Sequence, residues 1–196
     1  EPEPHAELSE AGLTHDARTH FEAALRLEPR NAAALNNLGN ALRTLGRWEE
    51  AMARHREALR LKPDFADARG SLGFDLVSTG RASEGLPLLD QAVRESPDHA
   101  GIRGYYGRAL ARLGRSEEAR AHFARAVELA PYSAEARNNL GTAWAQLGRG
   151  AEAIAEFEQA VQLAPGFPGS RINLGNALLA ASRWTAAAAE FEAAAQ

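Results

Sequence analysis

Seven asparagines, Asn36, Asn37, Asn40, Asn138, Asn139, Asn173 and Asn176, sit inside stretches that otherwise read as helix. Asparagine is a mediocre helix former that prefers caps and turns, so repeating it there lowers stability without adding to a core. Its amide carries donors and an acceptor together and can pair with a peptide C=O and N–H at once. The chemistry this points to is recognition of a polypeptide backbone. Catalytic chemistry finds no comparable support. The six histidines, His5, His15, His20, His55, His99 and His122, form no His-x-x-x-His or His-Glu-x-x-His spacing, so a helical zinc site is not expected. Zero cysteines remove thiol nucleophiles, disulfides and Cys-based zinc sites. Gly148-Arg149-Gly150 reads as a turn between helices rather than a phosphate cradle. Most glutamates lie three or four residues from an arginine, as solvated pairs on outward helix faces do. No catalytic residue, metal ligand or cofactor is expected.

The elements that hold the asparagines repeat with a period of 34 residues. Glycines fall at Gly39, Gly73, Gly107, Gly141 and Gly175, and prolines at Pro29, Pro63, Pro97, Pro131 and Pro165. A second glycine column runs Gly12, Gly46, Gly80, Gly114 and Gly148, with Ser182 where a sixth would stand. Two helical patterns fit between these breakers. Leu38, Leu42 and Leu45 recur at helical spacing before Gly46; Ala51, His55, Ala58 and Leu59 do so before Pro63. Small columns (Ala17, Ala51, Gly85, Ala119, Ala153, Ala187 and Ala24, Ala58, Ala92, Ala126, Ala160, Ala194) let two helices approach. A bulky column, Phe21, His55, Leu89, Phe123, Phe157 and Phe191, fills the space beside them. Glycine after the first helix permits a left-handed turn, and proline after the second prevents continuation. His55 in the bulky column reads as a partly buried, hydrogen-bonded ring. Pro87 and Glu95 make the repeat 66–99 the least regular.

In one period, Leu38-Gly39, Leu42, Gly46, Trp48, Ala51, Ala58 and Pro63 resemble the tetratricopeptide repeat family, and the resemblance spans essentially the whole chain. It implies an all-α fold, an α-solenoid of about five to six stacked antiparallel helix pairs in a right-handed superhelix. Residues 1–196 then form a single solenoid. Residues 1–31 are a partial repeat whose first helix is spoiled by Pro2 and Pro4, 32–65, 66–99, 100–133 and 134–167 are complete, and 168–196 is truncated. The chain opens at Glu1, and nothing covers the last helix with Trp184, Ala187, Phe191 and Ala194. It therefore reads as a segment of a longer protein, with a self-capping dimer or a complete chain as alternatives.

In that family the first helix of each pair lines the concave face. Counted from Ala32, Ala66, Ala100, Ala134 and Pro168, the sixth position holds Asn37, Ser71, Tyr105, Asn139 and Asn173. The ninth holds Asn40, Phe74, Arg108, Thr142 and Asn176; the thirteenth holds Thr44, Ser78, Arg112, Gln146 and Ala180; Asn36 and Asn138 stand at the fifth. Helices roughly 10 Å apart match about three residues of extended peptide at roughly 3.3 Å each. The pattern is similar to the asparagine ladder of the O-linked N-acetylglucosamine transferases, though Ser71 and Tyr105 interrupt it. The alternative is local, with amides bonded to nearby helix carbonyls or to water. Gly70, Gly101 and Gly104 lie beside Phe74, Tyr105, Arg108 and Arg112, which suggests a recess for an aromatic or acidic anchor; relief of crowding or a weak helix would also account for these glycines. The carboxylate clamp of chaperone-binding members needs two lysines, an arginine and two asparagines. Those positions hold Asn36, Asn40, Ser71, Gly101 and Tyr105, with no basic group among them, so the clamp is not expected. Arg69, Arg103, Arg137 and Arg171 replace a usually bulky apolar residue and read as structural, their stems packed and their heads reaching water or a carboxylate.

The function implied is a protein–protein interaction scaffold that binds extended peptide segments in its concave groove, through Asn36, Asn37, Asn40, Phe74, Tyr105, Arg108, Arg112, Asn138, Asn139, Thr142, Asn173 and Asn176. The alternatives are a substrate-recruiting arm of a larger enzyme such as a glycosyltransferase, and a module that self-associates through its terminal helices. The partner is a protein or peptide. A net charge of −4 argues against neutralising nucleic-acid phosphates, and no run approaches the roughly 20 apolar residues of a membrane span. With 45% hydrophobic and 24% charged residues the composition is that of a soluble globular protein. Lys62 is the only lysine among 22 basic residues, and alanine abounds, which suggests a GC-rich bacterial genome. The compartment reads as cytoplasmic, with the periplasm left open.

Overall fold

The computed structural model describes residues 10–195, with side chains from Asp16 onward. The expected effect of Pro2 and Pro4 lies outside the described residues. These form helices α1 Glu10–Leu27, α2 Ala32–Thr44, α3 Trp48–Leu61, α4 Ala66–Ser78, α5 Ala82–Glu95, α6 Ala100–Arg112, α7 Ser116–Leu129, α8 Ala134–Gln146, α9 Gly150–Leu163, α10 Pro168–Ala180 and α11 Trp184–Ala194. Among the described residues there is no strand, and no helix is long and apolar enough to cross a membrane. The helices gather into two compact units, Glu1–Glu95 with α1–α5 and Ser96–Gln196 with α6–α11.

Within each unit the architecture is an α-solenoid of helix pairs. α2 packs on α3 and α4 on α5 in the first unit; α6 packs on α7, α8 on α9 and α10 on α11 in the second. The first helices of neighbouring pairs also touch, α2 with α4, α6 with α8, and α8 with α10. Each pair closes on a steric match between two sequence columns. A Cβ on Gly107 would stand 2.5 Å from the Phe123 ring, one on Gly141 2.7 Å from Phe157, and one on Gly175 2.6 Å from Phe191. On Gly39 it would meet His55 at 2.5 Å and on Gly73 Leu89 at 2.8 Å. Any side chain on the first helix would therefore displace the bulky residue of the second, so glycine and ring are one device repeated along the chain.

The turn between paired helices is also a repeated device. Arg47 N–H bonds Leu42 C=O at 2.9 Å, Arg81 bonds Leu76, Arg115 bonds Leu110, Arg149 bonds Trp144 and Arg183 bonds Leu178. These six-to-one bonds close a Schellman turn whose penultimate residue must be left-handed. Gly46, Gly80, Gly114 and Gly148 supply it with φ of 72–86°, and Ser182 adopts φ 59° in the same place. Gly12 does not: α1 runs through it as continuous helix. The turn between pairs is fastened by the arginine column. Arg103, Arg137 and Arg171 donate Nε–H to the carbonyls of Pro97, Pro131 and Pro165 at 2.8–3.1 Å, and Arg69 bonds Pro63 through Nη2. Arg137 and Arg171 also pair with Glu156 and Glu190 at 3.0 Å, and Arg69 pairs with Glu95. Glu95, an irregularity in the sequence, is thus the carboxylate that answers Arg69.

Candidate functional site

In the second unit, α6, α7 and α8 enclose a recess of about 120 Å³. Its apolar surface comes from Phe123 and Ala126 of α7 and Ala100 and Ala136 of α6 and α8; Gly101, Gly104, Tyr105, Ser133, Glu135 and Asn139 complete the lining. Tyr105 and Asn139 come from consecutive first helices at the same repeat position, which is how one face of the array gathers them. Gly104 stands beside them at the middle of α6, and a Cβ added there would meet nothing within 4 Å. Arg108 is half-buried and Nη1 lies 3.8 Å from Glu135 Oε1, so the cation near the rim faces an anion. Arg112 is exposed at the end of α6.

The seven asparagines divide by what their amides already do. Asn37 and Asn176 are exposed and Asn139 lines the recess; these three make no side-chain hydrogen bond among the described residues. The rest are engaged. Asn173 Nδ2 donates to Asn138 Oδ1 at 2.9 Å across α8 and α10. Asn40 Oδ1 accepts from Arg43 Nη2 at 2.9 Å and from Ser71 Oγ at 3.2 Å. Asn36 is buried, its Oδ1 3.1 Å from His55 Nδ1. Thr142 Oγ1 donates to Asn138 C=O one turn back at 2.9 Å. Phe74 is 2% exposed and lies under the Arg43 guanidinium, 5.4 Å from ring centroid to Cζ. Two sequence expectations are corrected here: Asn36 and Phe74 face the interior of the first unit rather than a ligand. Helical spacing assigned them to the right helices, and tertiary partners drew them inward.

A buried polar network in the first unit was not expected from sequence beyond His55 itself. His55 Nε2 stands 3.3 Å from Asp75 Oδ2, and both side chains are fully buried. Arg43 Nη1 holds the other carboxylate oxygen at 3.1 Å. Burial pushes His55 below its ordinary value; Asp75 opposes this, and the nearby Arg43 charge adds to it. The sequence signal was available. Asp75 stands in a column that reads Ala41, Ala109, Ala143 and Ala177, and His55 in one that reads Phe123, Phe157 and Phe191, so two departures from the repeat touch each other. Full burial keeps this histidine and carboxylate away from any substrate. Among the described residues, no group of three side chains could hold a metal ion.

The comparisons agree with this architecture. Family models described as tetratricopeptide repeat match residues 7–66, 71–134 and 134–167. The fold is similar to that of a thermophilic tetratricopeptide protein of Thermus thermophilus, at 26% identity over 88% of this chain and 94% of that one, with a TM-score of 0.78. It is also similar to PilF of Pseudomonas aeruginosa, at 22% identity over 93% and 77%, TM-score 0.72. MamA of Desulfovibrio magneticus aligns at 21% identity over 83% and 92%, TM-score 0.65. No curated protein matches the chain.

Proposed function

The chain belongs to the tetratricopeptide repeat family, and on that premise we propose that it is a protein–protein interaction scaffold holding extended partner segments along the first helices of each of its units. Repeats of this family are generally scaffolds rather than catalysts. The observation that carries the reading is the Asn139 amide, without a hydrogen-bonding partner among the described residues, set at the edge of an apolar recess. An amide left open on a helix face costs helix propensity and can satisfy the N–H and C=O of a bound backbone. Asn37 and Asn176 offer the same chemistry elsewhere on first helices.

Replacing Asn37, Asn139 and Asn176 together by alanine tests it. Each neutral hydrogen bond nets about 0.5–1.5 kcal/mol, so the triple variant should bind peptides about tenfold more weakly or worse. Its helical circular dichroism should be unchanged. Peptides selected from a random displayed library on the full chain serve as probes, with affinities measured by fluorescence anisotropy. Equal affinity for wild type and triple variant would remove the amides from recognition.

A further inference from the structure

Most glycines of this chain are explained by geometry. Those at the pair crossings leave no room for a Cβ, and Gly46, Gly80, Gly114 and Gly148, which end first helices, have positive φ. Gly104 has neither reason. It lies mid-helix, has no positive φ, and would place a Cβ in open space. Glycine at such a position weakens a helix relative to almost any other residue. The same repeat position holds glycine once more, at Gly70, but Asn36, Asn138 and Ile172 in the other repeats, so a side chain is compatible with the fold. What the glycine preserves is the opening above Phe123 and Ala126.

Resting on the scaffold reading above, we infer that the recess at Gly104 is a specificity pocket for one apolar side chain of the bound segment, from leucine to phenylalanine in size. Its volume of about 120 Å³ is close to that of an engineered apolar cavity of about 150 Å³ that holds benzene. Its buried lining is aromatic and aliphatic, through Phe123, Ala126 and Ala136. The Arg108 charge faces Glu135 at 3.8 Å, so the rim has little reason to attract a net charge. This replaces the acidic anchor suggested by Arg108 and Arg112 in sequence. Asn139 at the edge is placed to hold the backbone of the anchoring residue while its side chain fills the recess. Backbone amides alone bind any extended peptide weakly, because ordering the peptide offsets a few neutral hydrogen bonds; a buried apolar anchor supplies the selectivity they lack.

The test selects a random displayed dodecapeptide library on the full chain, then measures the winners on wild type, Gly104→Leu and Gly104→Ala. The leucine variant should fill the pocket and unfold at a temperature no lower than wild type, since it replaces a helix-weakening residue in open space. Winners should share one apolar position whose alanine substitution costs tenfold or more. Gly104→Leu should lose a similar factor, and Gly104→Ala a smaller one. Winners that bind Gly104→Leu as tightly as wild type, yet lose affinity in the asparagine triple variant, would overturn the pocket and leave the scaffold reading standing. A library that yields no binder would overturn both. A Gly104→Leu chain that unfolds more readily than wild type, with Gly104→Ala binding unimpaired, would assign the glycine to packing and overturn the pocket.

Discussion

His55 and Asp75 occupy positions where the other repeats carry a bulky apolar residue and an alanine, and each has become the other's buried partner. Burial lowers the His55 pKa below its ordinary 6.5. Below that pH an unfolded chain takes up a proton that the folded chain refuses, so this group's contribution to stability is complete above about pH 6.5 and falls as pH drops toward the lowered value. The slope across that window approaches about 1.4 kcal/mol per pH unit. Urea denaturation between pH 7.5 and 5 should show it, and His55→Phe should flatten it; a wild-type chain with the same midpoint across the range would refute the assignment. At pH 7.5 the single substitution should still cost about 1–3 kcal/mol, because neutral His55 donates one N–H and its loss leaves a buried acceptor, on Asn36 or Asp75, without it. Adding Asp75→Ala restores both columns to the repeat pattern and should recover part of that loss. Two costs that simply add would mean the residues do not act as a pair.

At the scale of elements, every first helix ends in the same Schellman turn, yet one turn is built with the wrong residue. Ser182 sits at φ 59° where four repeats use glycine, and a residue with a Cβ pays about 1–2 kcal/mol to be there. Ser182→Gly should stabilise the chain by about 1 kcal/mol once the extra freedom of glycine in the unfolded state is deducted, raising a thermal midpoint by about 2–4 °C. Gly148→Ser should do the reverse. No shift in either variant would mean the turn relaxes to accommodate the side chain. These turns and the proline stops were legible in sequence because each is a local steric demand that recurs every 34 residues; the seating of Phe123 against Gly107 was not, because the sequence shows the glycine column only as a break. Gly12 shows where that reasoning fails. The column predicts a turn there, but α1 continues through it, since a glycine permits a left-handed turn without compelling one.

For the whole molecule, what the period could not reveal is which groups the neighbouring repeats would consume. Asn36 is taken by a residue 19 positions away, Asn40 by one 31 away and Asn138 by one 35 away, and only the unspent amides remain for a ligand. Placement on the first helices was readable; exposure and availability were not, because they depend on side chains from other helices. The division into two units gives the assembly a further testable consequence. Solenoid stability is close to a sum of repeat and neighbour terms, and about three repeats are needed for independence. The second unit has three complete helix pairs, α6 to α11, while the first has two pairs and α1. Residues 96–196 expressed alone should therefore unfold cooperatively, whereas 1–95 alone should be marginal, with the buried His55–Asp75 pair adding desolvation cost to a short core. All the residues that line the Gly104 recess lie between Ala100 and Asn139, so the isolated second unit should keep the binding that depends on it. Peptides that need the recess should bind residues 96–196 within about threefold of the full chain. A folded 96–196 segment that has lost them would place essential contacts in the first unit, and an unfolded one would show that its three pairs do not suffice.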